Sequence, residues 1–173
     1  MIDVTCCFAN NIKKESGFSL NEYSKNMIVS EFESAVADGY IRFLAALTNE
    51  DDVAVAEILL NSRNNFENTE VKIEAVIDKE FFLTDKDSKG NNGDYIKNCM
   101  VNFDGIIVYH EENRGAKFYS INHYLLYWST RVILLYDNTS EAAKEQIAEK
   151  EIDDFFIANM LYKDVKKLIL RGD

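Results

Sequence analysis

The chain has 173 residues, 47% of them hydrophobic and 28% charged. That is the length and composition of one globular domain with a full core, and folding then requires neither a disulfide nor a metal. Asp and Glu number 30 against 19 Lys and Arg, for a net charge of −11. This balance argues against direct binding to nucleic acid or an anionic membrane, both of which need clustered basic residues, and it favours a basic partner.

Cys6, Cys7 and Cys99 do not form a disulfide framework, because the count is odd and two are adjacent. Such usage points to a reducing, cytoplasmic setting. The opening residues lack the basic flank of a secretion signal, and no apolar run of about 18 residues occurs to span a membrane. Proline is absent while Asn, Ile, Lys, Phe and Tyr are plentiful. That is the bias of an AT-rich genome, its phages and mobile elements included.

Taken in chain order, helical spacing starts at Ile28, Phe32, Ala35 and Val36 behind a candidate N-cap, Asn21, and continues in phase to Phe43 and Leu47. Asp38-Gly39 either splits this stretch into two helices or is tolerated within it. A second helix is expected from about Thr48, where Thr48 and Asp51 resemble a capping box, to about Asn65. It buries Val55, Ile58 and Leu59, and the acids Glu50, Asp51 and Asp52 offset its macrodipole. Val71, Ile73, Ala75 and Ile77 then alternate as in a half-buried strand, and Glu80–Thr84 continues the sheet. Ile106–His110 and Ala116–Ile121 read as a hairpin, and Tyr124–Tyr136 as further strand. Helical spacing returns after Asn138, with Ile147, Ile152, Phe155, Phe156, Met160, Val165, Leu168 and Ile169 on one face. The expectation is a single α+β domain spanning residues 1–173: N-terminal helices, a central mostly antiparallel sheet, and one or two long C-terminal helices.

Motifs that would assign chemistry are missing. The loop from Asp85 opens like a calcium-binding loop, yet Lys89 and Ile96 stand where ligands are needed. In the expected hairpin register His110 faces Ala116 and His123 lies opposite Phe103, so the two histidines fall on opposite faces, which argues against a metal held by both. Cys6-Cys7 lacks the second spaced pair of a zinc site and reads as buried apolar side chains on an opening strand. No GxGxxG, P-loop, GxSxG or HExxH pattern occurs. The sequence therefore assigns no catalytic residue, metal or cofactor.

Two features bear on partners. Glu141, Glu145, Glu149 and Asp153 recur every four residues. On a helix they form a ladder rising about 6 Å per step, comparable with phosphates along a nucleic-acid strand. The segment holding Tyr124, Tyr127 and Trp128 is rich in residues favoured at interfaces. The leading expectation is a non-enzymatic acidic protein that occludes a basic protein partner, as inhibitors of defence nucleases and toxin-immunity proteins do. The alternative is a small enzyme or nucleotide-binding domain whose pocket gathers Cys99, Asp104, His110 and His123. A third is a homo-oligomeric structural component built through the aromatic sheet edge.

Overall fold

The computed structural model describes residues 4–11, 20–47, 50–66, 70–78, 101–109, 121–137 and 164–170. In chain order these contain β1 (Thr5–Asn11), α1 (Glu22–Ala37), β2 (Arg42–Leu47), α2 (Glu50–Arg63), β3 (Lys72–Asp78), β4 (Gly105–Tyr109), α3 (Ile121–Trp128), β5 (Arg131–Asp137) and β6 (Asp164–Leu170). Among the described residues the strands form one six-stranded sheet in the order β4-β3-β2-β1-β5-β6. Each neighbouring pair is parallel. The protein is thus an α/β fold, Rossmann-like in topology, with helices interleaved between strands.

The α+β expectation is overturned by this topology. Arg42–Leu47 is not a continuation of the first helix but strand β2, which lies between β1 and β3. Tyr124–Tyr136 is not one strand: its first part belongs to α3 and its last to β5. The first arm of the expected hairpin forms strand β4, whose described partner is β3 in a parallel pairing and so not part of an antiparallel sheet. Its second arm, Ala116–Ile121, lies outside the described residues except for Ile121, which begins α3. Val165, Leu168 and Ile169 lie on β6 and not on a C-terminal helix. Residues 80–84 and 138–163 are outside the described set, so the extended sheet and the long helix expected there are as well.

Both faces of the sheet are covered. Cys6 and Phe8 of β1, Phe43, Ala45 and Leu47 of β2, and Ile73, Ala75 and Ile77 of β3 pack with Ile28, Phe32 and Ala35 of α1 and with Val53, Val55, Ala56 and Leu59 of α2. Cys7, Ala9, Leu44, Ala46, Val76, Val132, Leu134 and Tyr136 pack on the opposite face with Leu125 and Leu126 of α3. Successive strand residues alternate between these cores. Because a parallel sheet is roofed by its own crossover helices, both sets must be apolar, and the central strands lose the polar alternation of a half-exposed strand.

The helix ends follow local chemistry. Asn21 caps α1, its side-chain oxygen accepting from the Ser24 N–H at 2.9 Å, as its side chain predicts. At the other end Gly39 has φ +97°, and the N–H groups of Gly39 and Tyr40 donate to the carbonyls of Val36 and Ala35. These paired bonds close a Schellman turn, which needs a left-handed residue just beyond the helix. Asp38-Gly39 is therefore a stop that turns the chain into β2.

Candidate functional site

The strand order reverses at β1. The chain steps from β1 outward through β2, β3 and β4, then returns to place β5 on the other side of β1. At such a switch point the loops leaving the two adjacent carboxyl ends run in opposite directions and leave a crevice between them. β1 reaches this edge at Asn10-Asn11 and β5 at Tyr136-Asp137, with Asn10 opposite Leu135 and Asn11 opposite Tyr136.

Asn10 falls in the same alternation as Cys6 and Phe8, so its side chain is on the α1/α2 face. There its amide Nδ2 donates to Asp52 Oδ1 at 2.9 Å. Asp52 belongs to the first turn of α2 and is only 5% exposed. β2 runs beside β1 and feeds α2, which carries the Asp52 carboxylate back to the carboxyl end of β1. A negative group in a helix's first turn is stabilised by the partial positive charge of the unsatisfied amides. The Asp52 carboxyl thus sits in the first turn of α2 with the Asn10 amide donating to it.

The amino edge of the sheet is built differently, as a row of ion pairs. Arg131, at the start of β5, contacts Asp38 and Asp164 at 2.8 Å each and lies 4.6 Å from the centre of the Tyr40 ring. Burial opposes the charge of this guanidinium. The close Asp38 carboxylate and the attraction and hydrogen bond of Asp164 outweigh burial, so its pKa lies above the ordinary value. Arg42 donates to Glu74 from Nε at 2.8 Å and Nη2 at 2.6 Å. Arg63, in the last turn of α2, pairs with Asp104, whose carboxylate also accepts from the Ile73 N–H at 2.8 Å. These carboxylates join one strand start to the next and are engaged with the fold.

The sequence-derived candidates divide accordingly. Tyr124, Tyr127 and Trp128 are brought together on α3, with Trp128 5.1 Å from Tyr127 and 6.4 Å from Tyr124 between ring centres. Trp128 is 51% exposed, and Tyr124 and Tyr127 are partly buried. They occupy a helix over β1, β2 and β3, so the aromatic segment does not form a sheet edge. Of the four residues in the dispersed-pocket reading, Asp104 sits at the amino end of β4, bound as above. His123 lies in α3, where only its backbone is described, and Cys99 and His110 lie outside the described residues. So do Glu141, Glu145, Glu149, Asp153 and the loop from Asp85 to Asp94.

Cys6 and Cys7 are buried and directed into opposite cores, as expected of small apolar side chains on an opening strand. Burial, followed by the neighbouring Cys7, pushes the Cys6 thiol well above its usual range, which makes it a poor nucleophile. Among the described residues no three His, Cys, Asp or Glu side chains are placed to hold a metal. No described helix is long and apolar enough to cross a membrane.

Sequence reasoning missed the Asn10–Asp52 pair, having assigned Asp52 only a dipole role. A signal was present: the short apolar run Cys6–Ala9 ends at Asn10-Asn11 and is followed by a capped helix. That is how a strand-to-helix unit of a parallel sheet begins. A scan against protein-family models finds none that matches the chain, and a search of curated proteins finds no match.

Proposed function

We propose that this chain binds a small ligand at the carboxyl edge of its sheet, at the β1–β5 switch point, with Asn10 and Asp52 as polar contacts. The observation that supports it is the buried Asp52 carboxylate, held by the Asn10 amide beside that switch point. Withdrawing a carboxylate from water costs several kcal/mol unless fixed donors offset it. Convergent polar groups at this edge are the usual make-up of a site in such sheets. A Rossmann-like topology alone does not decide an activity, so the reading rests on these side chains.

The electrostatics narrow the ligand. The first turn of α2 carries Asp51 and Asp52, so a phosphate brought to that helix end would meet carboxylates of this chain. Like charges a few ångströms apart repel by a few kcal/mol at an effective dielectric of about 20. The sequence also lacks the glycine-rich turn that lets a pyrophosphate approach a strand-to-helix junction. The reading therefore favours an amine or a hydroxyl-rich ligand over one led by phosphate.

The test is a thermal-shift screen of amines, sugars, nucleosides and nucleotides against the purified chain, with calorimetric titration of any hit. A ligand at 100 times its Kd raises stability by about 2.7 kcal/mol. The expected result is stabilisation by an amine or a polyol that is lost in Asp52→Asn and Asn10→Ala but kept in Lys166→Ala, a change on the outer strand β6 where Lys166 pairs with Glu31 of α1 at 3.4 Å. A screen without hits, or a hit that both carboxyl-edge variants still bind, overturns the reading.

A second reading, occlusion of a basic protein partner, is favoured by the net charge of −11. In this reading Glu141, Glu145, Glu149 and Asp153 steer the encounter, so changing all four to Gln or Asn slows association more than it speeds dissociation. Near 1 M salt, where the Debye length is about 3 Å, the difference vanishes. A tagged chain used to capture partners from its own cells supplies the partner for this test. Unchanged association at low salt removes the ladder from consideration.

A further inference from the structure

We draw no further inference here: the strongest candidate, the aromatic patch around half-exposed Trp128 at the end of α3, carries nothing because nothing in the structure shows what covers it.

Discussion

Replacing Arg131 with alanine separates the two edges of the sheet. Its guanidinium is almost fully buried, while its partners Asp38 and Asp164 are 50% and 48% exposed. Once Arg131 is gone those carboxylates return to water at little cost, so the loss is mainly that of the arginine's own contacts. With both partners half-exposed, the charge-assisted hydrogen bond to Asp164 is worth about 1.5–3 kcal/mol at most, the ion pair with Asp38 under about 1, and the Tyr40 contact about 0.5–1. Allowing for overlap among these contacts, Arg131→Ala should cost about 2–4 kcal/mol. At about 2–4 °C per kcal/mol for a domain of this size, the melting temperature should fall by roughly 4–16 °C. Urea unfolding should show a lower midpoint at unchanged slope. Arg131→Met keeps apolar packing in the same space and should lose less. Any ligand of the carboxyl edge should still bind the folded variant, because Arg131 lies at the opposite end of the strands. A loss below about 1 kcal/mol would refute the argument, since the desolvation of the guanidinium would then cancel its contacts.

Three further outcomes are expected. Asn21→Ala removes the side chain that accepts from Ser24 N–H and should cost about 1 kcal/mol in urea unfolding. Gly39→Ala should cost about 1–2 kcal/mol, although the added Cβ would meet nothing within 4 Å, because the strain lies in the positive φ alone. Gly39→Asn, which tolerates that backbone better, should recover part of the loss. Alkylation at pH 8, read peptide by peptide, should leave Cys6 unmodified in the folded protein and label it after unfolding. The same burial makes stability fall as pH rises above the thiol's ordinary value of 9.0, since the folded state then retains a proton that the unfolded state releases.

Legibility in the sequence tracked how evenly each element was buried. α1, α2 and β3 could be read because each has a polar side: Asn21 marks a start, Val55, Ile58 and Leu59 mark a helix face, and Lys72 and Glu74 break the apolar run of β3. β2 could not, because Phe43 to Leu47 are buried against both helical layers and show no alternation. Phe43 and Leu47 happened to continue the helical phase of α1, and a short apolar run cannot be assigned by period alone. β6 failed for the opposite reason. As the outer strand it exposes Val165 and Ile169 and buries Leu168 and Leu170, and residues at 165, 168 and 169 also match a helix stripe. In α3, Tyr124, Tyr127 and Trp128 lean toward strand by propensity, and packing over β1–β3 overrode it. With β2 and β6 read as helix and α3 as strand, the alternation that marks a parallel fold disappeared. The candidate site went with it, because Asn10 and Asp52 meet only once β1 and β2 are neighbours.

The central position of β1 has a consequence for how the protein is made. Its partner β2 follows closely in the chain, but the Thr130 N–H that meets the Thr5 carbonyl is 125 residues away in sequence. On a ribosome β1 to β4 can assemble as soon as they emerge, while β1 keeps one bare side until residues 131–137 arrive. Chain closure over such a separation is entropically costly and slow. For that interval a central, buried strand of the finished protein is an open edge, and a chain arrested before β5 offers it to whatever strand comes by.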